Sequence, residues 1–184
     1  MVRGLPGSGK SYLATALQAA IGKANVVLLD PDATDQTSQE YADFSSALTA
    51  EGVDEKFHPY RFLRSKAHAG ITAHKIVIWN QAFTNLDGFQ KTVKNLQTYA
   101  ADHDTRLPLL VVEVEVGADL AKARVAKRAE QGGHDVAKEA FARFIDEYRS
   151  FAHEGYDTVI VNGEADVSGS VASIVTALQG LREQ

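Results

Sequence analysis

The chain has 184 residues, with 19 Lys and Arg against 24 Asp and Glu, so its formal net charge at pH 7 is −5. This length predicts a single domain over residues 1–184 with a core of useful size, and the acidic balance argues against a protein that holds long nucleic acid by charge alone. The absence of cysteine excludes disulfides and thiolate metal sites. No stretch is long and apolar enough to span a membrane. Both observations favour a cytoplasmic protein.

The first predicted element is a phosphate-binding loop, because Gly4–Ser11 reads GLPGSGKS and matches the P-loop pattern G-x-x-x-x-G-K-[ST]. Its glycines allow backbone N–H groups to converge on an anion, and a helix that starts near Gly9 adds its positive dipole end. Lys10 can reach the β- and γ-phosphates, and the Ser11 hydroxyl can bind Mg²⁺. We predict that ATP, taken by default over GTP, and Mg²⁺ bind here, with these contacts: Gly4, Leu5, Pro6, Gly7, Ser8, Gly9, Lys10, Ser11 and Tyr12.

The strand that should precede this loop is short. P-loops follow a buried strand, strands usually have about five or six residues, and only Met1, Val2 and Arg3 precede Gly4. We expect either a truncated central strand with some loss of stability, or a start that lies further upstream.

Apolar spacing predicts strands that alternate with helices along the remaining chain. The predicted strands are 25–29, 75–79, 107–116 and 158–161, and the predicted helices are 10–21, 59–72, 85–101, 118–129, 137–151 and 168–181, with a weaker helical pattern within 34–57. This alternation indicates an α/β protein: a three-layer P-loop fold with a parallel sheet of about five strands flanked by helices. In such sheets the ligand lies beyond the carboxyl ends of the strands.

Two carboxylates, Asp30 and Asp32, directly follow the strand 25–29. A carboxylate beside a P-loop can accept the proton of an attacking hydroxyl, and Asp32 is the better candidate for this general base. Asp30 could orient the acceptor or reach Mg²⁺ through water. The segment Asp30-Pro31-Asp32 also suits a simple turn, but the neighbouring P-loop favours a functional interpretation.

The residue after the strand 75–79 is Asn80, where many P-loop proteins carry an acidic residue that orients Mg²⁺. Asparagine can only coordinate weakly or donate hydrogen bonds. We therefore expect Mg²⁺ to depend on Ser11, on phosphate and water oxygens, and on Asp30 or Asp32.

A basic cluster on the helix 118–129 consists of Lys122, Arg124, Lys127 and Arg128. The last three share one helical face, and arginines so placed can neutralise a transferring phosphoryl group. A solvated face paired with nearby acids is the alternative. Because Gly132 and Gly133 break the helix, we favour a hinged lid over about residues 124–143, with Arg124 and Arg128 as candidate catalytic arginines.

The helix 59–72 carries Arg61, Arg64 and His68 on one side. These side chains could line a pocket for an anionic or polyhydroxylated acceptor, and a solvated amphipathic helix explains them almost as well. Arg61 and Arg64 are kept as candidate acceptor-binding residues, together with Asp30.

Taken in order, three features resemble the zeta-toxin and polynucleotide-kinase group of small AAA-type P-loop kinases: the P-loop, the pair Asp30-x-Asp32, and the segment from Arg124 to Gly132-Gly133-His134-Asp135-Val136. The resemblance covers most of the chain. It implies a general base at Asp32, phosphate and metal contacts at Lys10 and Ser11, and a lid arginine at Arg124 or Arg128.

The sequence departs from both named members of this group. Polynucleotide kinases of this type carry an arginine three residues after the base, where this chain has Asp35. Zeta toxins that phosphorylate nucleotide-sugars are generally longer and carry substrate-binding insertions that are not found here. The chain is as compact as the small sugar, nucleoside and antibiotic kinases, so the resemblance supports the reaction better than the substrate.

These patterns predict an ATP-dependent kinase that phosphorylates a hydroxyl of a small molecule, such as a sugar, a nucleoside or a nucleotide-sugar. Two alternatives are kept: a kinase of polynucleotide 5′-hydroxyl ends, which the acidic charge disfavours, and a non-catalytic nucleotide-binding regulatory module. An antitoxin-like protein partner is a further expectation of the resemblance.

Overall fold

The computed structural model describes residues 1–132 and 136–183, in which short parallel strands alternate with helices. The strands are β1 (Val2–Gly4), β2 (Val26–Leu29), β3 (Ile76–Trp79), β4 (Val111–Glu115) and β5 (Thr158–Asn162). The helices are α1 (Lys10–Ile21), α2 (Gln39–Ala50), α3 (His58–Thr72), α4 (Leu86–Ala101), α5 (Ala118–Glu130), α6 (Lys138–Glu147) and α7 (Val167–Glu183), with short 3₁₀ turns at Lys23–Asn25, Pro31–Ala33 and Glu55–Phe57. The predicted α/β class is confirmed.

The prediction of one parallel sheet with about five strands needs a correction. The strands form a three-stranded sheet in the order β1-β4-β5 and a two-stranded sheet of β2 and β3. A single parallel bridge between Val2 and Asn80 joins them. Strand β1 has only three residues, and all three pair with β4. Few backbone groups of β1 are then available to bond to β3, so the expected short central strand explains the division.

Helices cover both faces of the strands. One core cluster packs Leu13 and Leu17 of α1 and Ile174 of α7 against the strands, and a second packs Leu63 of α3 and Phe89 of α4. Their apolar side chains recur every three or four residues, so each helix buries one stripe against the strands. This arrangement leaves the carboxyl ends of the strands, with the P-loop and the turn after β2, at one edge.

Two predicted elements are longer than those observed. The strand predicted over 107–116 begins only at Val111; Pro108, which lacks a backbone N–H, lies in the excluded part. The helix predicted over 137–151 ends at Glu147, and Tyr148 is extended. The residues after it make other contacts, since the Phe151 N–H donates to the Glu113 carboxylate at 2.6 Å.

Candidate active site

The P-loop joins β1 to α1, and its glycines are required by its geometry. Gly9 caps α1 with φ at 98°, a left-handed conformation that disfavours other residues. A Cβ added at Gly7 would lie 2.3 Å from the Ala121 carbonyl oxygen, so the loop packs directly on α5. The loop is therefore held open at the N-terminus of α1, where an anion is favoured by the helix dipole.

Lys10 lies at the centre of the local charges. Its ammonium donates a hydrogen bond to the Leu5 carbonyl oxygen at 2.9 Å. Burial lowers the pKa of Lys10 to about 8, while the carboxylates of Asp32 and Asp30 act to raise it and Arg128 acts to lower it. These influences place two predicted carboxylates and one predicted lid arginine within electrostatic reach of the P-loop lysine.

Ser11, Asp30 and Asn80 form a hydrogen-bonded triangle where the P-loop meets the ends of β2 and β3. The Ser11 hydroxyl donates to Asp30 Oδ2 at 3.2 Å, and Asn80 Nδ2 donates to Ser11 Oγ at 2.9 Å and to Asp30 Oδ2 at 2.6 Å. Asn80 is buried, and its Oδ1 has no hydrogen-bond partner among the described residues. The triangle collects the hard oxygen atoms that Mg²⁺ prefers.

Asp32 differs from Asp30 in its surroundings. Its backbone N–H donates to Asp30 Oδ1 at 3.0 Å, which fixes the turn after β2. Its own carboxylate is exposed, lines the cavity, and accepts no hydrogen bond from any described residue. Of the two carboxylates, Asp32 is therefore the one that is free to meet an incoming hydroxyl.

The two predicted lid arginines line the same cavity from α5. Arg124 is half-buried and donates to the Gly163 carbonyl oxygen at 3.0 Å, whereas Arg128 is exposed. The neighbouring Lys122 and Lys127 do not line the cavity. Gly133, His134 and Asp135 of the predicted lid lie outside the described residues, and α6 contributes Ala140 and Phe144 to the cavity wall.

The cavity has a volume of about 890 Å³ and extends from the P-loop to α3 and α4. Of the P-loop residues predicted to bind the nucleotide, it is lined by Pro6, Gly7, Gly9, Lys10, Ser11 and Tyr12. On the far side it is lined by Tyr60, Arg64, Gln81, Lys91 and Thr92. Of the two predicted acceptor arginines, Arg64 reaches the cavity; Arg61 is exposed and does not.

The cavity wall includes Lys91, Tyr60 and Gln81, which the sequence did not single out. Lys91 and Tyr60 are exposed, as expected of the polar side of an amphipathic helix. Gln81 follows Asn80 directly, and the rule that ligands bind beyond the ends of parallel strands could have identified it.

A buried ion pair contacts the loop after β3, which lines the cavity. Arg3 of β1 and Glu113 of β4 are both fully buried and form a salt bridge. Arg3 also donates to the carbonyl oxygens of Phe83 at 3.0 Å and Arg149 at 2.7 Å, and it packs over the Phe151 ring at 3.6 Å. The pair thus ties the two strands to the cavity-lining loop after β3 and to the segment after α6.

Other kinds of site are not found within residues 1–132 and 136–183. No group of three or more His, Asp or Glu side chains there is placed to hold a metal ion. None of the helices in these ranges has both the length and the apolar character needed to cross a bilayer.

Comparison with known families and structures agrees with this geometry. A family model described as an AAA domain matches residues 1–151. No curated protein sequence matches the chain.

The structural neighbours include three of related architecture. A sugar kinase from Janibacter sp. HTCC2649 is 14% identical, with 97% of this chain and 92% of that chain covered and a TM-score of 0.62. A gluconokinase from Sinorhizobium meliloti 1021 is 17% identical, with 99% and 91% covered and a TM-score of 0.58. A structure of the PezAT toxin–antitoxin system of Streptococcus pneumoniae is 13% identical, with 100% and 86% covered and a TM-score of 0.60. These likenesses confirm the predicted P-loop kinase fold.

Proposed function

The chain belongs to the AAA domain family, and we propose that it is an ATP-dependent kinase that transfers the γ-phosphoryl group to a hydroxyl of a small molecule. The observation that carries this proposal is the placement of a P-loop and the free carboxylate of Asp32 in one cavity of about 890 Å³. This volume lies within the range of about 300–1,000 Å³ typical of small-molecule sites.

The residues present fit a nucleotide and its metal. The P-loop leads into the N-terminus of α1, where backbone N–H groups favour an anion, and Lys10, Arg124 and Arg128 supply positive charge to the same cavity. Ser11 and Asp30 would hold Mg²⁺, directly or through water, together with phosphate oxygens. When bound, Mg²⁺ offsets the negative charge of the triphosphate.

The chain's own residues would then divide the work. Asp32 accepts the proton of the acceptor hydroxyl. As it does so, the hydroxyl oxygen forms a bond to the γ-phosphorus, and the bond between the γ-phosphorus and the ADP oxygen breaks. Lys10 holds the β- and γ-phosphates, and Arg124 and Arg128 stabilise the charge on the transferring group. Asn80, which donates to both Ser11 and Asp30, keeps those two side chains in position.

The test is acceptor-dependent phosphorylation. We would incubate the protein with ATP, Mg²⁺ and a cell metabolite extract and search by mass spectrometry for compounds that gain a phosphate. Asp32→Ala should lower this rate by roughly 10²–10⁴-fold, the usual contribution of a general base, while nucleotide binding survives. Asp35→Ala is the matched control, because Asp35 is exposed nearby and does not line the cavity. An Asp32→Ala variant as active as the control would exclude the assigned base.

A second candidate is a nucleotide-binding regulatory module. The observation in its favour is Asn80, which lies where many P-loop proteins have an acidic residue. Its side-chain amide donates a hydrogen bond to the Asp30 carboxylate. This candidate predicts tight nucleotide binding without acceptor turnover, and a partner that binds in only one nucleotide state. An antitoxin-like partner belongs to the same set of tests.

A kinase of nucleic-acid ends receives less support. Such an enzyme needs a basic path to Asp32, and the basic residues on α3 and just after it are Arg61, Arg64, Lys66 and Lys75. Only Arg64 of these lines the described cavity, and Lys66 is paired with Glu40.

A further inference from the structure

Helices α3 and α4 pack side by side in parallel with a constant register. His68 Nε2 lies 3.2 Å from Asn95 Oδ1, and Thr72 Oγ1 lies 3.0 Å from Tyr99 OH. Both contacts join residues that are 27 positions apart. Successive contacts are therefore one helical turn apart, and the same offset holds from one turn to the next.

One turn closer to the helix N-termini, the same register places Arg64 opposite Lys91. Both side chains line the cavity that contains the P-loop and Asp32. The pKa of His68, in the next turn, is lowered mainly by burial, and Arg64 and His103 lower it further, whereas the hydrogen bond that its Nε2 donates to Asn95 Oδ1 raises it. The Arg64 charge therefore acts on His68, which contacts Asn95 of α4.

Among the described residues, no acidic side chain is paired with either cation. No carboxylate among the described residues lies within 4.0 Å of Arg64 or Lys91, although Asp87 is one turn before Lys91 on the same helix. Glu40, near α3, is already paired with Lys66. Two like charges held in neighbouring positions repel each other, and the repulsion is relieved when an anion binds between them.

We infer that Arg64 and Lys91 bind an anionic group, a phosphate or a carboxylate, carried by the acceptor whose hydroxyl is phosphorylated. This inference rests on the proposed kinase function. The nucleotide phosphates have their own cations, Lys10, Arg124 and Arg128, at the other end of the cavity. Helix α3 also contacts the turn Pro31–Ala33, and Asp32 of that turn lines the same cavity as Arg64 and Lys91. The planar guanidinium of Arg64 suits bidentate binding of either anion.

The test measures anion binding without turnover. The protein is saturated with Mg²⁺ and a non-hydrolysable ATP analogue, so that the P-loop is filled, and inorganic phosphate or malonate is titrated by calorimetry. Arg64→Gln and Lys91→Gln should each weaken binding of the preferred anion at least about tenfold, since each removes a charged hydrogen-bond donor to the anion. Arg61→Gln and Lys94→Gln are matched controls on the same two helices, because both residues are exposed and outside the cavity wall.

Several outcomes would overturn the inference. Binding that is absent in the wild type, or that falls equally in the control variants, excludes a dedicated subsite. If neither small anion binds and an oligonucleotide 5′-hydroxyl is phosphorylated more slowly by Arg64→Gln and Lys91→Gln than by the control variants, the pair serves nucleic acid instead. If the metabolite experiment identifies a neutral acceptor, the kinase proposal stands and the anion subsite fails. If the anion binds as expected and no acceptor is phosphorylated, the kinase proposal fails instead.

Discussion

Replacement of Glu113 by glutamine should destabilise the protein far more than loss of an exposed charge does. The side chains of Arg3 and Glu113 are both 0% exposed. Glu113→Gln keeps the size of the side chain but leaves the Arg3 guanidinium buried without a counter-charge. Breaking a buried pair in this way costs about 3–5 kcal/mol, a large share of the roughly 5–15 kcal/mol that stabilises a typical domain.

The assay is urea unfolding followed by the fluorescence of Trp79, which is the only tryptophan and is 3% exposed. The matched control is Glu40→Gln, which breaks the partly exposed pair with Lys66 and should cost no more than about 1 kcal/mol. Thermal midpoints should differ accordingly, by about 2–4 °C for each kcal/mol in a chain of this size.

A double-mutant cycle separates the ion pair from general loss of packing. Arg3→Met combined with Glu113→Gln should be less destabilised than the sum of the single variants, because the double variant contains no unpaired buried charge. If Glu113→Gln costs no more than Glu40→Gln, or if the two single effects simply add, the reasoning about this pair is wrong.

Two further predictions concern the P-loop. The pKa of Lys10 is lowered to about 8, and bound phosphates would raise it. Affinity for an ATP analogue should therefore fall as pH rises above about 8, by up to tenfold per pH unit. For the free protein, the lowered pKa of Lys10 makes the free energy of unfolding rise as pH increases from about 8 to the ordinary lysine value of 10.5, since the unfolded chain binds more protons in this range. An affinity that stays constant from pH 7 to 9.5 contradicts the assignment. Gly7→Ala would place a Cβ 2.3 Å from the Ala121 carbonyl oxygen, so the loop must shift and nucleotide binding should weaken at least tenfold. Gly169→Ala on α7, whose Cβ meets nothing within 4 Å and lies outside the cavity wall, should leave calorimetric binding unchanged, and equal effects of the two changes would refute the packing argument.

Much of the fold could be predicted because its signals are local. The P-loop is a fixed motif, and α1 was predicted with its observed ends, since Leu13 and Leu17 are spaced for one buried face and Gly22 terminates the helix. The gathering of Ser11, Asp30 and Asn80 follows from the rule that parallel strands end at a common edge.

What could not be predicted depends on contacts between distant segments. Lys91 has the sequence pattern of a solvent-exposed lysine, and its place in the cavity depends on the packing of α4 beside α3. Arg3 and Glu113 are 110 positions apart, and no local pattern indicates that the two charges meet. Sequence spacing also could not show that the sheet is divided, because this depends on how β1 shares its three residues between two neighbours.

That division separates the two chemical tasks proposed for the site. The P-loop follows β1 and Arg124 lies on the helix after β4, whereas Asp32 follows β2 and Arg64 lies on α3, which packs against β2 and β3. Among the described residues, strand pairing across the break is limited to the Val2–Asn80 bridge. Side chains therefore help to set the spacing between the strand ends that carry Asp32 and the P-loop, through the 2.9 Å contact of Asn80 with Ser11 and the 3.0 Å contact of Arg3 with the Phe83 carbonyl oxygen. Under the proposed function, we expect substitutions around Asp32 and Arg64 that keep these contacts to change the acceptor without disturbing the packing of the P-loop.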